Sequence, residues 1–198
     1  MFDLSLYSVV LLVHIASAIV LVSSALFAPL TRHAVLRAPT LDRLRDWLDF
    51  LRRSGRANPP AAMLLLGSGV YLGSAGWWSQ PWFYVALGAW AANLLLATRA
   101  VKPSAIALAR AAASAGDGPV GPDVDRLRRS RRWELGEGIM RGNDVAMLYV
   151  MFVKPSAAES LLVVALAGLA CIGAEWVLAR RMSRLDSPAL SASRAQVS

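Results

Sequence analysis

Residues 131–156 read RRWELGEGIMRGNDVAMLYVMFVKPS, and the fold turns on whether this stretch crosses a bilayer. Its second half is almost wholly apolar. Its first half carries Glu134, Glu137, Arg141, Asn143 and Asp144, which lipid does not tolerate unless they face a bundle interior or a cavity.

The surrounding chain is strongly apolar. Of its 198 residues 56% are hydrophobic and 17% charged, with a mean hydropathy of +0.46, too little polar surface for a water-soluble domain of this size. A spanning helix needs about 20 apolar residues. The runs at 4–29, 82–101 and 158–179 meet that length, and the run at 61–77 falls just short. The first run is not a signal peptide: it carries Asp3 where a basic segment belongs and exceeds the usual apolar core.

The charges between the runs fix the topology. Residues 31–58 hold seven arginines against three aspartates, and residues 99–132 hold seven arginines and Lys102 against three aspartates. The tail beyond 179 adds Arg180, Arg181, Arg184 and Arg194, whereas residues 76–81 carry no charge. Four spans would put the tail opposite the two basic loops. With 133–153 as a fifth span, every basic segment lies on the cytoplasmic side, and Lys154 snorkels at the outer face. The expected architecture is therefore an all-α, polytopic transmembrane bundle of the bacterial inner membrane, N-terminus outside and C-terminus inside. Its helices are expected at 4–30, 60–77, 82–102, 133–153 and 157–181, with a disordered cytoplasmic tail at 183–198. The alternative is an interfacial helix at 134–153.

Local patterns fill in the frame. Trp77, Trp78, Trp82, Phe83 and Tyr84 crowd the second turn as an outer aromatic belt does. Gly69 and Gly73, with Gly88 and Ala92, allow close contact between the second and third spans. Residues 40–55 form an amphipathic helix between Thr40 as N-cap and Gly55 as stop, either on the anionic leaflet or packed under the bundle. Residues 113–123 have the composition of a flexible loop.

At 1.5 Å per residue from the outer helix ends, His14, Ser68, Asn93 and Asp144 all fall about 14–16 Å deep, one polar layer near the mid-plane. Glu134, Glu137, Arg141 and Asp144 follow 3–4 spacing on one face and can neutralise one another along it. Glu175 and Cys171 read as packing or interfacial residues. Three functions fit the layer. It can be interhelical glue, with His14 bonded to Asp144. It can hold haem b, with His14 as one axial ligand and Met147 as the other. It can form a proton, small-solute or copper path through His14, Asp144 and Arg141, in a homo-oligomer or with a membrane partner. The single cysteine, Cys171, excludes an internal disulfide and a cysteine metal cluster, and no soluble-enzyme motif is present. The excess of basic charge lies in the connections, which argues for the bilayer as partner and against nucleic acid.

The stretch LLVHIASAIVLVSSALFAPLTRHA, the hairpin LLLGSGVYLGSAGWWSQPWFYVALGAW and the ending YVMFVKP resemble an uncharacterised bacterial family of small predicted integral membrane proteins. Those proteins carry histidine in the first helix and Met-x-x-Lys-Pro at the end of the fourth. The resemblance covers about residues 4–156 and implies a four-helix core in which 133–153 spans, with the last helix added. His14 is also similar in placement to the histidine of HemJ-type and copper-resistance D-type membrane proteins, which implies haem-linked redox chemistry or copper traffic.

Overall fold

The computed structural model describes residues 5–195, with side chains through residue 177, and is all-helical apart from one isolated bridge between Thr40 and Pro119. Eight helices follow in order: α1 (Leu6–Arg37), α2 (Leu41–Ser54), α3 (Asn58–Ser74), α4 (Pro81–Leu96), α5 (Lys102–Ser114), α6 (Pro122–Arg128), α7 (Arg131–Val153) and α8 (Ala157–Ala195). Three stretches are long and apolar enough to cross a membrane: Leu6–Arg37, Pro81–Ser114 and Ala157–Val177. The tail expected at 183–198 falls outside the residues with described side chains.

Proline marks where helices begin: Pro59 and Pro60 open α3, Pro81 opens α4 and Pro122 opens α6, positions where the missing N–H costs nothing, and Pro103 opens α5. Pro103 has a second effect. The expected helix at 82–102 does not stop there; it runs on through a π-helical segment, Ala97–Val101, into α5. Pro103 cannot donate to the carbonyl of Arg99, four residues back, so the ladder rearranges at that point. The guanidinium of Arg132, from the start of α7, donates to the freed Arg99 oxygen.

The long helices pack antiparallel. His14–Ser68 and Ser24–Asn58 hydrogen bonds, 3.0 and 2.8 Å, set α1 against α3. Asn93–Asp144, 2.8 Å, sets α4 against α7, and Gly142 lying on Gly168 sets α7 against α8. The close approach expected between the second and third spans is absent. Gly69 faces the His14 ring, Gly73 seats the Phe83 ring, and a Cβ on Gly88 would meet nothing within 4 Å. α3 packs along α1, and it meets α4 through large side chains such as Trp90, whose indole donates to the Ala62 carbonyl at 3.2 Å. The backbone-to-backbone contact lies instead at the Gly138–Gly142 pair of α7. A Cβ on Gly142 would stand 2.5 Å from the Gly168 Cα.

Below the bundle, α2, α5 and α6 close a core around Val35, Leu41, Leu44, Leu108, Ala112, Val124 and Trp133. The amphipathic helix α2 therefore packs under the bundle, with Thr40 and Gly55 as its caps. Two arginines cap helix ends here. Arg45 donates to the carbonyls of Ala112 and Ala115 at the end of α5, and Arg128 to that of Ala38 at the end of α1. The segment with flexible composition, 113–123, is anchored by Arg45 and by the Leu41 N–H bond to Gly118. Gly118 has φ +122, a conformation open to glycine.

At the opposite end, Trp77, Trp82, Phe83 and Val150 cluster with Met147. Lys154, left-handed at φ 53, ends α7 and lays its ammonium over the Trp77 ring at 3.8 Å.

Candidate functional site

The expected polar residues do not form one layer. Arg141 bonds Ala25, and Arg32 stacks over Trp133, which registers α1 against α7. Counting from those contacts, Asp144 is level with residue 22 of α1, about eight residues or ~12 Å below His14. Helix α1 starts about seven residues above the level of Val153 at the end of α7, so depths measured from the two helix ends do not match.

The upper tier is the 3.0 Å bond between His14 Nδ1 and Ser68 Oγ. The Ser68 hydroxyl also faces the Leu64 carbonyl at 2.5 Å, and the imidazole fills the notch left by Gly69, where a Cβ would meet it at 3.1 Å. His14 is thus bonded to Ser68, not to Asp144. The middle tier is a chain of amides. Asn143 donates to Asn93 at 2.9 Å, and Asn93 donates to the Asp144 carboxylate at 2.8 Å. Asn143, 4% exposed, completes this chain, and the one-face reading of α7 left it out.

The lower tier carries the charge. Arg141 does not pair along its own helix with Glu137 or Asp144. Its Nη1 donates to Glu175 of α8 at 2.6 Å, and its Nε donates to the Ala25 carbonyl at 3.1 Å. That carbonyl is available because Pro29, four residues on, has no N–H to give it. Glu175, read from sequence as packing or interfacial, is the half-buried partner of Arg141. Around the pair stand Glu137, Arg32 and Trp133; Arg32 and Arg141 are each 9% exposed and Trp133 2%. Glu134 stands at the rim, within electrostatic reach of Arg32.

This tier differs from the other two in how its polar atoms are met. Five buried side-chain atoms make no well-formed hydrogen bond among the described residues, and all belong to it: Arg32 Nη1, Trp133 Nε1, Glu137 Oε2, Arg141 Nη2 and Glu175 Oε2, although the Trp133 indole N–H and the Glu137 carboxylate face one another. Each such atom costs about 1–3 kcal/mol if nothing meets it.

No protein-family model matches this chain, and neither a curated protein nor a solved structure matches it.

The residues expected to hold haem do not converge. His14 gives one nitrogen to Ser68 and lies against α3, while Met147 packs with Trp82, Phe83 and Val150. Among the described residues no group of three or more His, Cys, Asp or Glu side chains is placed to hold a metal ion such as copper. The lower tier offers different chemistry: guanidinium donors and carboxylate acceptors gathered in a largely buried cluster between α1, α7 and α8. Sequence reasoning missed Glu175, Arg32 and Trp133 from it. The available signal was Pro29, which announces a free carbonyl in α1 and hence a donor to meet it.

Proposed function

We propose that this chain is a five-span protein of the bacterial inner membrane, N-terminus outside, whose charged lower tier binds a small polar solute. The buried donors and acceptors of that tier that lack a well-formed hydrogen bond, Arg32 Nη1, Arg141 Nη2 and Glu175 Oε2 foremost, carry this reading. A layer that served only as glue would pair its groups, as the His14–Ser68 and Asn143–Asn93–Asp144 tiers do. Support for five spans comes from the alternating directions of α1, α3, α4, α7 and α8 and from the basic connections gathered at one end. Lys154 and the aromatic turn lie together at the other.

The test separates binding from architecture. Arg141→Met with Glu175→Leu removes the ion pair without leaving a lone charge, and Pro29→Ala restores a backbone donor for Ala25. Apolar replacement of a buried pair is often neutral or stabilising, by about 1–4 kcal/mol. The triple variant should therefore keep or raise its unfolding temperature in detergent. A fall of about 10 °C, several kcal/mol for a bundle of this size, would assign the tier to architecture and sink the solute reading.

A further inference from the structure

The atoms left over in the lower tier specify a ligand class. Three are donors, Arg32 Nη1, Arg141 Nη2 and Trp133 Nε1, and two are carboxylate oxygens, of Glu137 and Glu175. The two arginines and two glutamates sum to a formal charge of zero. A lone anion or a lone cation entering this largely buried region would add a charge that nothing balances, and would leave either the carboxylates or the guanidinium groups still unmet. A molecule with both charges and no net charge meets donors and acceptors together.

We propose that the cluster binds a zwitterion in which a primary ammonium stands close to a phosphate or carboxylate. The ammonium donates to Glu137 and Glu175, and the anionic group accepts from Arg32, Arg141 and Trp133. Two sources share this chemistry: the headgroup of an ethanolamine phospholipid, and a free solute such as glycine or glycerophosphoethanolamine. Position favours neither by itself. Arg32 lies in the last two turns of α1 and Trp133 in the first turn of α7, at the end of the bundle where inner-leaflet headgroups lie in the five-span arrangement. Arg32 is held there by stacking on the Trp133 ring, 4.4 Å from its centroid.

This inference rests on the solute-site reading, and the probes are chosen to separate the two. The full chain, purified in mild detergent and stripped of lipid, is heated with glycine, glycerophosphoethanolamine, inorganic phosphate or ethylamine. In parallel it is heated in mixed micelles with phosphatidylethanolamine or phosphatidylcholine. Phosphatidylethanolamine or the soluble zwitterions should raise the unfolding temperature. Phosphatidylcholine has no ammonium N–H to donate and should need about tenfold more for the same effect, a difference of ~1.4 kcal/mol. Glu137→Leu should abolish that preference, and Glu137→Gln serves if the leucine variant does not fold. A response to phosphatidylethanolamine alone assigns the headgroup; a response to the soluble zwitterions assigns a free solute. Equal action of the two phospholipids with no response to either soluble zwitterion, or a preference that survives both Glu137 variants, overturns the inference. Phosphate or ethylamine acting in place of every zwitterion overturns it and leaves a solute site. Silence from all six probes overturns both.

Discussion

Gly142 carries more of the architecture than any charged side chain of α7. Its missing Cβ lets the α7 and α8 backbones touch, since a Cβ would stand 2.5 Å from Gly168 Cα and 2.6 Å from Gly168 N. Those atoms are helix backbone and cannot swing aside. Gly142→Ala should therefore push the helices apart and cost about 1–3 kcal/mol, seen as a lower unfolding temperature and weaker α7–α8 cross-linking. Gly168 sits on the other side of the same contact, yet a Cβ there would meet nothing within 4 Å. Gly168→Ala should be neutral or slightly stabilising, because alanine exceeds glycine in helix propensity by about 1 kcal/mol. Equal losses in the two variants would mean that general flexibility, and not the one-sided contact, sets the effect. The sequence pattern Gly138-x-x-x-Gly142 was available to suggest this contact, as Gly69-x-x-x-Gly73 was to suggest the other. Spacing does not say which glycine pair meets a backbone and which meets a ring.

At the scale of elements, the short helices below the bundle are the more legible. Helix α2 alternates apolar and charged residues at helical spacing, so its core face, with Leu41 and Leu44 buried, follows from the sequence. The bundle helices are apolar on their exposed faces and on their packed faces alike, which erases that signal. Hence α3 was assigned to the wrong neighbour, and the polar residues of α7 were paired along one helix when they reach α4, α8 and α1. The small helix α6 offers an element-scale test outside the bundle. Burial by itself would raise the Asp125 carboxyl, but hydrogen bonds from Arg129 and Arg128 outweigh it and hold the group below the usual aspartate range. Arg128 in turn caps α1 through Ala38. A carboxyl depressed on folding stabilises the protein fully above its unfolded value of about 3.9, and the contribution is lost as pH falls through the lower folded value. The unfolding temperature of the native chain should thus exceed that of Asp125→Asn above about pH 5 and converge on it in more acid solution. A gap that stays constant down to that acid range would show that Asp125 acts through packing and not through its charge.

The largest question belongs to the whole molecule: which ends of its helices lie on which side of a membrane. Helix α7 is the pivot, as its sequence announced. Its 23 residues give a length of about 34 Å, enough for a hydrocarbon core of about 30 Å. It packs against α1, α4 and α8, with residues buried from Trp133 to Val150, so its charges are covered by protein along the way. An interfacial helix would leave one long face to headgroups and water, and its two ends would sit on the same side. The five-span arrangement instead puts Ser79 and Pro155 outside and Asp117 inside. After Cys171→Ser, single cysteines at these three positions can be challenged in intact cells with a membrane-impermeant maleimide. Ser79→Cys and Pro155→Cys should react at once, and Asp117→Cys only after the membrane is opened. The Pro155 result decides the matter, because Lys154 beside it stacks on Trp77 at the aromatic turn. If Pro155→Cys stays protected in cells while Ser79→Cys reacts, α7 does not carry the chain to the outer face. The basic tail would then lie outside, against the charge bias that motivates the fifth span.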